Sequence, residues 1–185
     1  MTYIYLQPYN GCDNNIIDEI AKRLMNTINI DVKILPSIEE PVYAFDPVRN
    51  QYHSTKILSY IVGNHNNSAL RTIGIIGVDL FIPILTYVFG EAQLDGKAAI
   101  VSGARLKQEY YGLKPDKKLY IERLFKEVMH ELGHTFGLTH CELPHCVMHL
   151  SNNVAGIDKK TSNFCENHRE QFIKRLKELE REYGK

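Results

Sequence analysis

The chain has 185 residues, 44% of them hydrophobic, which suits one domain with a proper core, or one domain with a small C-terminal lobe. Lys+Arg and Asp+Glu both number 22, so net charge is near zero and no bulk field favours nucleic acid or an anionic membrane as partner. No apolar stretch approaches the ~18 residues of a spanning helix, and Met1-Thr2-Tyr3-Ile4-Tyr5 lacks the basic and apolar regions of a secretory signal, so a cytoplasmic location is expected.

Thr2 to Tyr9 is β-branched and aromatic and predicts a strand, closed by the turn Asn10-Gly11. Asp13 or Asn14 can then cap a helix whose apolar stripe is Ile16, Ile17, Ile20, Ala21 and Leu24. Ile30 to Leu35 predicts the next strand, ended by Pro36, which makes a βαβ unit with a parallel strand pair. Glu39 to Tyr52 is irregular. Ser54 is placed as the cap of a second helix, Thr55 to Val62, and Asn64 to Ser68 is a polar loop. Arg71 to Leu80 is nearly all apolar, as in a strand buried on both faces. Leu85 to Glu91 and Ala98 to Ser102 predict two more strands. The first is more polar and is the candidate edge strand, where an extended peptide can add by β-augmentation.

Lys114-Pro115-Asp116 starts the central helix, with the apolar stripe Ile121, Leu124, Phe125, Val128 and Leu132. At about 100° per residue, His130 and His134 fall opposite that stripe, with Arg123 and Glu127. The helix therefore sets one face on the sheet and turns its polar face into a cleft. Ser151 to Thr161 reads as a loop. Ser162 or Asn163 can cap a last helix through Phe172, Ile173, Leu176 and Leu179.

The densest chemistry lies in His130-Glu131-Leu132-Gly133-His134, followed by Gly137 and His140. Histidines four apart on a helix lie roughly 40° apart on one face and can share one Zn²⁺. Gly137 can end the helix in the left-handed region and let the chain bring His140 back as third ligand. Three histidines leave one position open, the arrangement of a catalytic site. Glu131, about 100° around the helix from His130, reaches water rather than the metal and suits a general base. This spacing is a zinc-protease signature.

The four cysteines are Cys12, Cys141, Cys146 and Cys165. Without a secretory signal, disulfides are not expected and clustered thiols read as metal ligands. Cys141-x4-Cys146 and Cys165-x2-His168 form two halves of a Cys₃His zinc site, with His145, His149 and Cys12 as rival fourth ligands. Small buried thiols are the alternative. Met148 is either a core methionine or a floor beneath the catalytic metal.

The stretch His130 to His140 with Met148 resembles the metzincin clan of zinc metallopeptidases. The continuation Cys141-x4-Cys146-x-Met148 to Cys165 is similar to the archaemetzincins, the archaelysin family. Similar segments include Ala44-Phe45-Asp46, Arg49-x-Gln51-Tyr52, Gly77 to Phe81, Phe89 to Ala92, Ser102-x2-Arg105-Leu106 and Lys126-Glu127, so the resemblance spans almost the whole chain. It implies an α/β (α+β) fold. A mixed five-stranded twisted sheet with an antiparallel edge strand, backing helices and an active-site helix would precede a small zinc-stabilised C-terminal subdomain. The division would fall at 1–140 and 141–185. It further implies two Zn²⁺: a catalytic ion on His130, His134 and His140 with Glu131 as base and Met148 below, and a structural ion on the cysteines. The family pattern ends in a Cys pair; here His168 holds the second position, and imidazole is an acceptable replacement.

The function that follows is zinc-dependent hydrolysis of peptide bonds in a peptide or protein substrate, by a chain expected to be a monomer. The alternative is a non-catalytic, zinc-stabilised scaffold that only binds peptides.

Overall fold

The computed structural model describes residues 3–183. β1 (Tyr3–Pro8) buries every second residue, with Ile4 and Leu6 fully enclosed. Thr2 of the predicted strand lies outside the described residues, and Tyr9 leaves the strand to form an isolated bridge to Ile38. Asp13 caps α1 (Asn14–Ile28), its carboxylate accepting from the Asn15 N–H at 2.9 Å. All five predicted stripe residues are buried. Asn29, at φ 55°, ends the helix, and β2 (Asp31–Ile34) returns parallel to β1. The βαβ unit is as expected.

The segment expected to be irregular is more ordered than that. A short 3₁₀ turn at Val42–Ala44 leads to β3 (Phe45–Asp46) and β4 (Gln51–His53), which pair antiparallel. Strands this short give no readable alternation; their pairing is set by long-range contacts. α2 (Ser54–Gly63) includes Ser54 as its first residue rather than its cap. That hydroxyl instead donates to the Phe81 carbonyl at 3.1 Å and to the Glu91 carboxylate.

β5 (Arg71–Ile76) is buried at all six positions but stops at Ile76, short of the expected Leu80. The chain turns into β6 (Leu80–Phe81), which joins β4 in a second, three-stranded sheet of order β3-β4-β6. The strand expected at Leu85 to Glu91 is mostly loop. The Leu85 N–H closes a turn onto Ile82, and Val88 makes only an isolated bridge to Leu80. β7 (Gly90–Ala92) and β8 (Ala98–Ser102) complete the main sheet. Its order is β2-β1-β5-β8-β7, parallel throughout except for the antiparallel edge strand β7. This is the mixed five-stranded sheet expected.

Alternate residues of β5 and β8 feed two separate cores. Ile73, Ile75, Ala99 and Val101 face α1 and α3 (Lys117–Thr135); Ile76, Ala98 and Ile100 face α2. A sheet covered on both faces explains why these strands read as continuous apolar runs. Asp116 caps α3 through the Leu119 N–H at 2.9 Å. Leu124, Phe125, Val128 and Leu132 of its stripe are buried and Ile121 is half-buried.

The supposed loop at 151–161 contains α4 (Val154–Lys159), capped by Asn153, which accepts from the Gly156 N–H at 3.0 Å. α5 (Glu166–Tyr183) starts beyond Ser162 and Asn163. Asn163 uses its carbonyl to accept from the Val147 N–H at 2.9 Å. Phe172 and Leu179 of α5 are buried, whereas Ile173 is exposed. Among the described residues, no helix is long and apolar enough to cross a membrane.

Candidate active site and metal centres

The last turns of α3 carry His130 and His134, with ring centroids 4.7 Å apart. The helix ends at Thr135 and Gly137 takes φ +85°, a conformation costly for any residue with a Cβ. That turn returns His140 to 4.9 Å from the His134 ring and 5.4 Å from the His130 ring. The ligand-type nitrogens of the three residues all lie within 4.8 Å of one another.

Backbone carbonyls set the imidazole tautomers. His130 Nδ1 is 2.8 Å from the Val147 oxygen, and His134 Nδ1 is 2.7 Å from the Leu138 oxygen. A carbonyl only accepts, so each Nδ1 carries the hydrogen and each Nε2 a lone pair. The two Nε2 atoms stand 3.1 Å apart. Two lone pairs at that separation repel unless a shared cation lies between them. With Zn–N bonds of about 2.0–2.1 Å, the edge of a tetrahedral site is about 3.4 Å, so the trio fits the ion. Burial pushes the His130 pKa well below its ordinary value, and the nearby Lys160 cation adds to the effect. Burial lowers His134 and His140 in the same direction. Neutral imidazole, the ligand form, is therefore the resting state at neutral pH.

Glu131 is buried beside the trio, and a Cβ built on Gly90 of β7 would meet its side chain. Burial raises its carboxyl well above the usual range, with the Glu127 charge as the second cause. Met148 is fully buried, its sulfur lying against Gly133 in the turn of α3 between His130 and His134.

The polar face of α3 does not all open into a cleft. Arg123 is buried in a two-pronged pair with Asp158 of α4, at 2.7 and 2.6 Å, and donates to the Leu106 carbonyl. Glu127 faces Lys160, with Nζ 2.9 Å from Oε1 and both side chains almost wholly enclosed. Lys160 also lies 3.4 Å from the His149 carbonyl and 3.5 Å from His130 Nδ1. Sequence reasoning missed Lys160. Local pattern does not separate it from Lys159; only the fold turns it inward.

A cavity of about 720 Å³ opens over the trio between β7, the loop at 85–89, and the segment at 150–152, with Glu127, Glu131 and Lys160 on its walls. The edge strand β7, whose one sheet neighbour is β8, also lines it.

A second cluster lies beneath. Cys141, Cys146, Cys165 and His168 bring their sulfur and nitrogen atoms within 4.8 Å of one another. Cys141 and Cys165 sulfurs are 3.9 Å apart; His168 Nδ1 is 3.7 Å from Cys146 and 3.2 Å from Cys165. Tetrahedral zinc with Zn–S of about 2.3 Å needs edges of about 3.8 Å between sulfurs, so this set fits as well. The rivals lie elsewhere. His149 Nδ1 is bonded to the Cys141 carbonyl at 2.8 Å, Cys12 donates to the Ile75 carbonyl in the sheet, and His145 is outside the cluster. The two centres share one segment: Val147, whose carbonyl fixes His130, sits between Cys146 and Met148.

Comparison with known proteins gives a consistent result. The sequence model of peptidase family M54 matches residues 1–175. A protein named archaemetzincin from Pyrococcus horikoshii is 46% identical over 142 residues, 74% of each chain. The crystal structure of archaemetzincin from Methanopyrus kandleri superposes with a TM-score of 0.80 at 34% identity, covering 96% of both chains. The structure described as a zinc-dependent peptidase from Methanocorpusculum labreanum gives a TM-score of 0.83 at 28% identity, over 93% of this chain and 100% of that one. With the family match running through both metal-type clusters, the chain belongs to peptidase family M54.

Proposed function

We propose that this peptidase hydrolyses peptide bonds with Zn²⁺ held by His130, His134 and His140 and with Glu131 as general base. The observation that carries the reading is the pair of lone-pair-bearing Nε2 atoms 3.1 Å apart, with a buried carboxylate next to them. Zinc, when bound there, supplies Lewis acidity to water and to the scissile carbonyl.

The rest belongs to the chain. Val147 and Leu138 hold the two helical imidazoles in the ligand tautomer. Glu131, which lines the same cavity as the three histidines, takes a proton from the attacking water and passes it to the departing amine. The unpaired edge of β7 offers backbone groups to an extended substrate beside Glu131. Cys141, Cys146, Cys165 and His168 would hold a second, structural Zn²⁺ that ties α5 to the segment carrying Val147 and Met148.

The test is cleavage of a peptide mixture by zinc-loaded protein, by chelated protein and by Glu131→Gln. The expected result is hydrolysis by the first alone, with the variant reduced roughly 10²–10⁴-fold while keeping its zinc. Full activity in Glu131→Gln would refute the mechanism, and full activity after complete chelation would refute the metal requirement.

A further inference from the structure

The lining of the cavity over the three histidines has its own chemistry. Four charged residues line the cavity among those described: Glu91, Glu127, Glu131 and Lys160. Glu127 and Lys160 face each other and are closed off from solvent. Glu91 accepts from the Ser54 hydroxyl and, at 2.9 and 3.0 Å, from the Thr55 hydroxyl of α2. Glu131 is committed to the chemistry. Glu131 apart, each charged group on the walls is already engaged by the protein, Glu127 with Lys160 and Glu91 with two hydroxyls, so none is left without a partner for a charged substrate side chain.

The mouth is instead apolar. Leu85, Leu94 and Leu150 line the cavity and are 49%, 58% and 51% exposed. Each sits on a tethered segment. Leu94 precedes Asp95, whose N–H donates to the His134 carbonyl at 2.9 Å, so it belongs to the C-terminal end of α3. Leu85 and Leu150 lie on two further segments of the cavity wall. There the Tyr87 hydroxyl donates to the Asn152 carbonyl at 2.8 Å and joins the two segments. His130, His134 and His140 line the same cavity as all three leucines.

We propose that the cleft selects peptides with large apolar side chains next to the cleaved bond. Leu94, Leu85 and Leu150 receive them. This rests on the peptidase reading, since the same cleft serves both. The driving force is removal from water of leucine surface on the protein and of its counterpart on the substrate.

Zinc-loaded Glu131→Gln provides a binding assay without turnover. Short fluorescent peptides with Leu or Phe around the central bond should bind at least about tenfold tighter than the same peptides with Ser, Asp or Lys there. Leu94→Ser and Leu150→Ser should each cut that preference several-fold with melting temperature and zinc content unchanged. Leu150→Glu should shift preference toward Lys-containing peptides. Equal binding of all peptides, no binding of any, a preference untouched by the leucine variants, or self-association through these leucines would overturn the inference. Apolar-selective binding without hydrolysis by the unaltered chain would sink the peptidase reading alone. Hydrolysis without apolar preference would sink this inference alone.

Discussion

The carboxylate of Glu131 lies directly against the backbone of Gly90: a Cβ built at Gly90 would stand 2.7 Å from both Cγ and Oε1 of Glu131. Glycine on β7 is thus what lets the helix bring its carboxylate up to the edge strand. Gly90→Ala should displace that carboxylate while leaving the three histidines in place. The expected outcome is a fall in kcat of roughly 10²-fold at unchanged zinc content. Steady-state kinetics with elemental analysis checks it, and an unchanged kcat would show that the contact has no catalytic role.

Gly133 makes the corresponding contact on the other side of α3. A Cβ there would overlap the Met148 sulfur and come within 3.1 Å of the Phe164 ring. Met148 is fully buried in the core and Phe164 is half-buried against it, so a new methyl group is crowded from two sides. Gly133→Ala, although favourable for a helix in isolation, should therefore destabilise by about 1–3 kcal/mol through overpacking. Denaturant titration reads the change directly.

His168 stands where the related sequence pattern has cysteine. His168→Cys should keep two zinc ions per chain, because thiolate and imidazole both suit the site. His168→Ala should lower the count to one. It should also reduce thermal stability, since α5 loses its tie to the 141–149 segment. Retention of two ions by the alanine variant would mean that another group completes the cluster.

The Glu127–Lys160 pair is enclosed, so removal of one partner strands the other. Lys160→Met should cost about 3–5 kcal/mol, and combining it with Glu127→Gln should recover most of that loss. Unfolding free energies from the double-mutant cycle decide the matter. Additive losses would show that the two side chains do not depend on each other.

In metal-free protein the folded pKa values of His130, His134 and His140 lie below the unfolded value. The unfolded chain then binds more protons, and stability rises with pH across that interval. Acidification below about 6.5, the ordinary histidine value, should lower the urea midpoint of chelated protein. His130→Gln should flatten that slope. A midpoint independent of pH between neutrality and the depressed values would contradict the buried, neutral imidazoles.

Much of this protein is readable without a structure, and the reason is locality. The stripe of α1, its Asp13 cap, the βαβ unit and the face shared by His130 and His134 follow from helix period and cap chemistry within a few residues. The return of His140 needs only the left-handed turn at Gly137. Even the resemblance in the 130–148 stretch is a matter of fixed short spacings.

What only the tertiary structure decided involves residues far apart in the chain. The two-residue strands β3 and β6 have no periodicity of their own and exist through pairing with β4. Glu131 meets Gly90, Glu127 meets Lys160 and Arg123 meets Asp158 across different elements. No local pattern marks Lys160 as buried, because its environment is made by α3 and the 149 segment. The choice among His145, His149, Cys12 and His168 was equally open at the level of spacing. It was decided when α5 began at Glu166, placing Cys165 and His168 one turn apart against Cys141 and Cys146. The sequence by itself determined which atoms can hold a metal. The fold determined which of them meet, because long-range packing and backbone hydrogen bonds set those distances.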